Sequence, residues 1–333
     1  MKFKLLFVLF FTSLFVSAQD IHLSQYFSAP LLLNPALTAN IDGPFRVTSS
    51  YRQQWRQNGF SYNTYTASFE NRLLSNKLQE HSRLGFGIAL LGDESLGGVF
   101  KNNSALVSLS YHQPLDIDGI TSIGAGLQAN LGNRSINFNN LTYESQFNLQ
   151  NELFDRNISS GEIFQNGVKS IFDLNAGLVY TYNDGSSSFY LGTSVYNIRR
   201  PEFTFFSDSS SRINLRKMLH SGANFYINES VGTKMTLSFL AMEQARSIEL
   251  NFGGAFGIPI SDYYLYLGSF YRFKDSFYPY ISFQSKSLQI GISYDIMTSG
   301  LRKYNPKRSS IELSFLYVLP DDSEKRRFMP WNY

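Results

Sequence analysis

The chain contains no cysteine and carries little charge. Of its 333 residues, 17% are Asp, Glu, Lys or Arg, whereas the average for soluble domains is about 25%. The missing cysteine excludes a disulfide framework, a thiolate metal site, a cysteine nucleophile and a lipid-modified N-terminal cysteine. The formal net charge of +3 is too small to indicate a nucleic acid as partner.

Catalytic and cofactor-binding motifs are also missing. The four histidines, His22, His81, His112 and His220, occur in no HExxH spacing. The sequence has neither a GxSxG nucleophile elbow nor a GxxxxGK[ST] phosphate loop. A hydrolase would therefore lack an obvious nucleophile. We expect no enzymatic activity, no cofactor and no metal site.

Long apolar runs are confined to the N-terminus. Lys2 and Lys4 precede the run Leu5–Val16, and small residues follow it up to Ala18. This pattern predicts a secretory signal peptide over residues 1–18. The run is too short for a membrane-spanning helix, which needs about 20 apolar residues. We therefore expect the chain to be exported.

What the sequence does contain is a period of two. In 288–296, apolar side chains occupy every even position, and Gln289, Gly291, Ser293 and Asp295 occupy the odd ones. Alternate side chains of a strand point to opposite faces, so this pattern predicts a strand with one apolar face. About fourteen such strands are predicted, at 45–56, 60–73, 82–93, 98–113, 120–132, 171–183, 187–197, 217–228, 231–242, 247–258, 262–273, 277–284, 287–298 and 308–319.

The strand lengths and the polar faces favour a transmembrane barrel over a soluble β-sandwich or β-helix. A tilted strand needs about 9–11 residues to cross a bilayer, and soluble strands are usually shorter. The polar faces hold mainly Gly, Ser, Asn, Gln and Thr, which suits a lumen. Interfacial girdles of aromatic residues would explain the tyrosines near strand ends, namely Tyr263, Tyr264, Tyr278, Tyr280 and Tyr317.

The connections predict an orientation for this all-β, antiparallel outer-membrane β-barrel. The longest ones, at 133–170, 198–216 and 299–307, are all odd-numbered in chain order. Outer-membrane barrels have long external loops and short periplasmic turns. We therefore expect the barrel, residues 45–319, to have these three connections outside and both termini in the periplasm.

Two segments lie outside the predicted strands. Residues 19–44 are apolar and do not alternate, and they include Asn34 and Pro35. We expect them to form a plug in the lumen or at its mouth. The charged tail, residues 320–333, is expected to hang in the periplasm.

Charged residues on the polar faces predict one specific contact. Strands one and fourteen are neighbours in a closed barrel, and strand thirteen lies beside strand fourteen. Arg52, Asp295 and Glu312 are therefore predicted to form a network across the seam, since a buried charge in a barrel wall is unfavourable unless it is paired or hydrated. The alternative is that these are separate, hydrated lumen charges.

Several segments of the chain resemble proteins of the PorP/SprF family of the type IX secretion system in Bacteroidetes. The resemblance extends from the signal peptide to about residue 319. It rests on the order and spacing of Gln19–Tyr26, Leu33–Ala36, Tyr51–Trp55, Phe189–Ser194, Ile290–Asp295 and Ser310–Leu313. Connection 133–170 and the tail carry no clear family pattern.

The resemblance implies a non-enzymatic outer-membrane barrel that supports secretion or surface retention of other proteins. The implied partners are outer-membrane lipid, an adhesin C-terminal domain and subunits of the periplasmic secretion ring. Exposed aromatic residues make good interface anchors, so Phe203, Phe205 and Phe206 are candidate contacts for the exported protein. They would otherwise fold back over the barrel mouth.

Other functions stay open at this point. The main alternative is a transporter of hydrophobic small molecules resembling a fatty-acid channel, which would need a lateral gap in the wall with an apolar pocket behind it. A passive porin would need an open lumen. An outer-membrane hydrolase has the least support.

Overall fold

The structure is a computed structural model that describes residues 22–55, 61–75, 77–149, 152–155, 157–161, 167–205, 211–299 and 309–320. The predicted signal peptide, residues 19–21, Phe206 and the tail beyond Pro320 lie outside the described residues. The predictions made for them are therefore not tested.

Fourteen antiparallel strands close into a barrel, which confirms the predicted fold. The first strand pairs with the second on one side and with the last on the other, so the sheet closes on itself. Closure lets the backbone N–H and C=O groups of the wall pair with each other, as they must in lipid. Strands are numbered in chain order, and β6 and β7, described below, lie outside the barrel. The barrel strands are β1 (Phe45–Gln54), β2 (Tyr62–Leu73), β3 (Arg83–Ser95), β4 (Phe100–Pro114), β5 (Thr121–Ile136), β8 (Val168–Asn183), β9 (Ser187–Tyr196), β10 (Arg216–Asn228), β11 (Thr233–Gln244), β12 (Ser247–Ile260), β13 (Tyr263–Arg272), β14 (Ser276–Gln284), β15 (Leu288–Met297) and β16 (Ser309–Val318).

The two faces of the wall differ as the alternating pattern predicts. In β14, buried and exposed side chains alternate at every position from Ser276 to Gln284. The exposed positions of the wall carry mostly large apolar side chains, including Leu90, Leu109, Leu127, Leu178, Leu191, Phe252, Phe256, Ile281, Ile290 and Phe315. An apolar outer wall around a more polar interior is the arrangement of a membrane barrel.

Three of the tyrosines expected in an aromatic girdle point inward instead, namely Tyr264, Tyr278 and Tyr280. Tyr264 packs against the buried core. Tyr278 and Tyr280 are buried, and the Tyr278 ring stacks on Phe270 with 5.4 Å between centroids. Tyr278 and Tyr280 occupy even positions of β14, which face the lumen. The alternation along the strand therefore sets the direction of these side chains, whatever their distance from the strand end. Tyr263, at 43% exposure, does lie on the outer wall.

The two ends of the barrel carry different connections. One end, here called the long-connection end, carries connections 55–61, 96–99, 137–167, 197–215, 245–246, 273–275 and 298–308. The other, the short-turn end, carries connections 74–82, 115–120, 184–186, 229–232, 261–262 and 285–287. The predicted loop 133–170 is shorter than expected because β5 and β8 extend into it. It contains a small hairpin of β6 (Phe147–Asn148) and β7 (Leu153–Phe154).

The described part of the N-terminal segment, residues 22–44, folds into short turns. They are a 3₁₀ turn at Tyr26–Ser28, a one-turn α-helix α1 at Pro30–Leu33 and a 3₁₀ turn at Pro35–Leu37. Proline suits the first position of such a turn because its φ is fixed and no N–H is needed there. None of the described helices is long and apolar enough to cross a membrane.

Candidate functional site in the barrel lumen

The N-terminal segment lies among the inward-facing side chains of the barrel. Gln25, Asn34 and Ala36 have 0% exposure. His22 contacts Glu249 of β12 near the long-connection end, with 2.9 Å between Nδ1 and Oε2. The carbonyl of Ile41 accepts a hydrogen bond from Arg72, next to the short-turn end. The segment therefore runs through the lumen from one end to the other. Its first described residue lies near the long-connection end and not near the short-turn end, where both termini are expected from the sequence.

Asn34 anchors the middle of the segment to the wall. Its Nδ2 donates to the carbonyl oxygen of Leu178 at 2.9 Å and lies 2.9 Å from Nε2 of His220. Its Oδ1 accepts a hydrogen bond from the Ala36 N–H at 2.8 Å, which caps the second 3₁₀ turn. One side chain thus fixes both the local turn and its position against β8 and β10.

Glycines in the wall leave room for this part of the segment. A Cβ placed on Gly126 of β5 would collide with the backbone of Pro35, and one on Gly177 of β8 would collide with the Asn34 amide. The sequence indicates only that these glycines face inward. The structure adds that Asn34 and Pro35, the residues predicted for the plug, lie against them.

We expect Gly126→Val to lower the free energy of unfolding of the barrel by about 1–3 kcal/mol, the usual effect of overpacking a filled core. The valine has no space unless Pro35 and Ala36 move. Urea unfolding in detergent, followed by heat-modifiable gel mobility, measures the change. Ala125→Val is the matched control, because Ala125 is exposed on the outer wall. Equal stability of the two variants would contradict the described packing.

Arg46 and Glu70 hold the segment near the short-turn end. The guanidinium donates to both carboxylate oxygens, with Nε–Oε1 at 3.0 Å and Nη2–Oε2 at 2.8 Å. The pair is almost completely buried. Glu70 also accepts the Ala39 N–H at 2.9 Å, and Arg46 donates to the Leu37 carbonyl at 3.3 Å. The pair therefore satisfies backbone groups of the segment that water does not reach.

The structure brings Arg52 together with Asp295 and Glu312 at the seam. Arg52 Nη2 lies 2.9 Å from Asp295 Oδ2, and its Nε lies 3.8 Å from Glu312 Oε2. Arg52 stands directly opposite Glu312 in the β1–β16 ladder. The three side chains are at most 8% exposed, so this ion cluster is shielded from bulk water.

The cluster is larger than the sequence predicts. Arg272 of β13 lies 3.6 Å from Asp295, 3.3 Å from Glu249 and 3.1 Å from Asp275. His22 extends it through its contact with Glu249. The pattern identifies Arg272 and Glu249 as lumen charges, but it gives no indication that they reach the seam.

The carboxylates of this cluster also bind the start of the N-terminal segment. Glu312 accepts the backbone N–H groups of Ser24 at 2.7 Å and Gln25 at 2.9 Å. The Ser24 hydroxyl donates to Asp295, and the Tyr278 hydroxyl donates to the Ser24 carbonyl at 2.9 Å. We call this set, Arg52, Arg272, Asp295, Glu249, Glu312 and the residues 22–25 that they hold, the seam cluster. It ties the segment to the strands around the closing seam.

Phe203 and Phe205, two of the three phenylalanines predicted to contact a partner, pack against the protein itself. Phe205 is 5% exposed, and its ring lies 5.2 Å from Phe203 and 6.3 Å from Phe138. The Phe203 ring lies under the Arg134 guanidinium at 4.7 Å. These contacts fit the alternative in which the loop folds back over the barrel mouth. Phe205 is therefore not available as an exposed anchor.

The lumen side chains hold the N-terminal segment in place. His112 and His220, which the pattern places on the lumen face, are both buried there. Among the described residues, no group of three or more His, Asp or Glu is arranged to hold a metal ion. The charges of the Arg46–Glu70 pair and of the seam cluster instead pair with one another and with groups of residues 22–39.

The sequence matches the family described as type IX secretion system membrane protein PorP/SprF over residues 15–317. No curated protein matches the chain significantly.

Solved structures similar to this chain include other barrels. The CymD monoaromatic hydrocarbon channel has 11% identity and a TM-score of 0.48, with 92% of this chain and 95% of that chain covered. The KdgM porin has 8% identity and a TM-score of 0.36, covering 82% and 99%. BamA from Haemophilus ducreyi has 10% identity and a TM-score of 0.40, covering 83% and 70%. All three scores are below 0.5, so these similarities carry no functional implication.

The family match covers most of the chain, including the N-terminal segment and the fourteen barrel strands up to residue 317. It agrees with the closed barrel and its apolar outer wall. The chain therefore belongs to the PorP/SprF family of type IX secretion system outer-membrane β-barrel proteins.

Proposed function

We propose that this protein is a non-enzymatic barrel that holds an exported surface protein at its long-connection end. The N-terminal segment keeps the lumen closed as a plug, and the long connections face the cell exterior. The tail, with Lys325, Arg326 and Arg327, would meet the periplasmic secretion ring at the opposite end. The observation that carries the proposal is the hairpin β6–β7.

The hairpin carries exposed apolar side chains. Leu149 is 85% exposed, Leu153 65% and Phe154 51%. Phe147 packs edge-on against Phe154 with 5.1 Å between ring centroids, which keeps both rings on the hairpin. Clustered exposed apolar residues on a connection are typical of a protein-binding surface.

The hairpin also offers a strand edge for pairing. Its two strands form a separate two-stranded sheet, in which Phe147 stands opposite Phe154 and Asn148 opposite Leu153. An exported protein with an exposed strand would add to such a sheet by backbone hydrogen bonds, with apolar side chains supplying specificity. A small hairpin alone is marginally stable, so binding would stabilise it.

We expect the double variant Leu149→Ser/Phe154→Ser to lose most of the exported surface protein that co-purifies with the barrel. The measurement is a pull-down of the tagged protein from outer membranes in mild detergent, with recovered proteins quantified by mass spectrometry. Recovery of ring subunits should stay unchanged, because the tail is intact.

The matched control is Ile117→Ser. Ile117 is 95% exposed but lies in connection 115–120 at the short-turn end, so loss of exposed apolar surface there should leave exported-protein recovery unchanged. Unchanged recovery with the hairpin variant, or recovery of no secretion component with the parent protein, would contradict the proposal.

The structure of the barrel wall gives less support to the alternative function, a transporter of hydrophobic small molecules. Pro279 interrupts the ladder between β14 and β15, since proline has no N–H to donate. The buried rings of Tyr278 and Tyr280 lie behind this position, where a lateral gate would need an apolar pocket. The proline therefore does not supply the route that such a transporter requires.

A further inference from the structure

An open groove crosses the outer wall near the long-connection end. It has a volume of about 790 Å³ and lies across four neighbouring strands, β3, β4, β5 and β8. Two rows of outward side chains border it, and the strand register places the members of each row side by side. The apolar row, farther from the end of the barrel, is Leu90, Ala105, Leu131 and Phe172, and the polar row, nearer to that end, is Gly92, Asn103, Asn133 and Ser170.

The apolar row suits an acyl chain. Leu90, Leu131 and Phe172 are 44–57% exposed, so their side chains stand out from the sheet. Ala105 lies between Leu90 and Leu131 in the row, and its single methyl group leaves a gap between the two leucines. An acyl chain that lies in this gap contacts apolar side chains on both sides, in the hydrocarbon layer that surrounds a membrane barrel.

The polar row lies where the wall leaves the hydrocarbon. Asn103 stands directly opposite Asn133, and Ser170 follows on the next strand. No hydrogen bond joins these three side chains to the described part of the protein. Amide and hydroxyl groups without a partner are unfavourable in an apolar medium, so this row fits the head-group region of the bilayer. Its hydrogen-bonding groups are available to a lipid head group.

A guanidinium group lies at the β8 end of the groove. Arg199 of connection 197–215 is exposed, and its guanidinium carbon is 4.9 Å from the centre of the Phe172 ring. The backbone N–H of Arg199 donates to Asp173 Oδ1 at 2.9 Å, which fixes this residue beside β8. No carboxylate of the described residues forms an ion pair with this guanidinium. Its fork of N–H donors matches the oxygens of a phosphate group.

Nearby acidic groups do not cancel this positive charge. Glu94, at the next outward position of β3, pairs with Lys101 of β4 at 3.7 Å, so these two charges compensate each other. Asp173 faces the lumen and has 0% exposure. The groove therefore combines an apolar row, a row of uncharged hydrogen-bonding side chains and an exposed cation.

We infer that this groove binds a phospholipid of the surrounding bilayer whose head group carries a net negative charge. The phosphate group lies by Arg199 and Phe172, and one acyl chain extends along the apolar row to the gap at Ala105. The polar row, which borders this path, hydrogen-bonds to ester and phosphate oxygens. The site uses none of the residues of the hairpin β6–β7, so it and the proposed protein-binding function stand or fall separately.

The test compares two lipids that differ in head-group charge. The barrel in detergent is titrated with dioleoylphosphatidylglycerol or with dioleoylphosphatidylcholine, and native mass spectrometry counts the bound lipids. We expect one tightly bound phosphatidylglycerol per barrel and weaker binding of phosphatidylcholine. Arg199→Gln should weaken phosphatidylglycerol binding by about fivefold, the usual effect of one cation near a membrane surface, and should leave phosphatidylcholine binding unchanged.

Two matched controls separate this site from general contact with lipid. Arg200→Gln removes the same charge from the adjacent residue, which is also exposed, and should leave phosphatidylglycerol binding at the parent level. Ala105→Trp fills the gap in the apolar row and should weaken binding of both lipids. Ala125→Trp places the same ring on the outer wall of β5, towards the short-turn end, and should have no effect.

Three results would each overturn the inference, because they would leave only unspecific contact between lipid and wall. The first is a parent protein with no preference for phosphatidylglycerol. The second is an equal loss of phosphatidylglycerol in Arg199→Gln and Arg200→Gln. The third is equal lipid binding by Ala105→Trp and Ala125→Trp.

Discussion

Arg52→Met is expected to lower the free energy of unfolding by about 3–5 kcal/mol, the range found when one partner of a buried ion pair is removed. Asp295 and Glu312 would then remain buried without their nearest seam cation. Methionine has a similar length but cannot donate hydrogen bonds. The loss should also loosen the start of the N-terminal segment, because Arg52 donates to the carbonyl oxygen of His22.

Urea unfolding in detergent, followed by heat-modifiable mobility, measures this effect. Lys217→Met is the matched control, since Lys217 pairs with Glu243 at 3.4 Å but both side chains are more than half exposed. An exposed pair contributes about 0–1 kcal/mol. Similar losses in the two variants would mean that the seam cluster is no more important than a surface ion pair.

Arg52→Lys tests whether the positive charge alone or the shape of the guanidinium group stabilises the seam cluster. Lysine keeps the positive charge but has a single ammonium group, whereas the arginine reaches Asp295 and Glu312 with different nitrogens. We expect a stability between those of the parent and Arg52→Met. A fully stable lysine variant would show that the charge alone matters at this position.

The barrel is predictable from the sequence because the alternation of apolar and polar residues that produces it is a local pattern. In 288–296 every second side chain is apolar, and the pleat of a strand converts that period directly into two faces. The predicted strand 45–56 differs from the observed Phe45–Gln54 only at its end. Because the apolar face contacts lipid, the sheet has to close on itself. The number of strands then follows from counting the alternating segments.

The seam contact is predictable for a related reason. Closure makes the first and last strands neighbours, which places Arg52 near Glu312 without any knowledge of side-chain conformation. Arg272 is different because it reaches Asp295 from β13, two strands away, through a long flexible side chain. That reach depends on the space inside the lumen, which a period of two does not specify.

The path of the N-terminal segment and the position of Phe205 are the parts that the sequence leaves open. Asn34 bonds to residues 144 and 186 positions away in the chain, and no local pattern encodes such contacts. Phe205 lies in an irregular connection, where no periodic pattern in the sequence distinguishes an exposed ring from one that folds back onto the barrel. For Tyr278, by contrast, strict use of the alternation would have predicted the inward direction.

Deleting residues 22–40 is expected to turn a closed barrel into an ion-conducting pore. Barrels of about 8 strands can be filled by wall side chains alone, whereas those of about 16–18 strands leave an aqueous channel. Fourteen strands lie between these limits, and residues 22–40 lie among the inward-facing side chains, so we expect their removal to open the lumen. Planar-bilayer recordings should show stepwise currents for the deletion variant and none of comparable size for the parent.

Single-cysteine labelling gives a second measurement, because the parent chain has no cysteine of its own. Gln128 is 2% exposed and donates to the Leu31 carbonyl of the segment at 2.9 Å, so Gln128→Cys should resist a water-soluble maleimide until residues 22–40 are removed. Leu127→Cys, on the lipid-facing side of the same strand, should stay unlabelled in both backgrounds. A deletion variant that folds, conducts no current and leaves the thiol of Gln128→Cys protected would mean that the wall side chains close the lumen without the N-terminal segment.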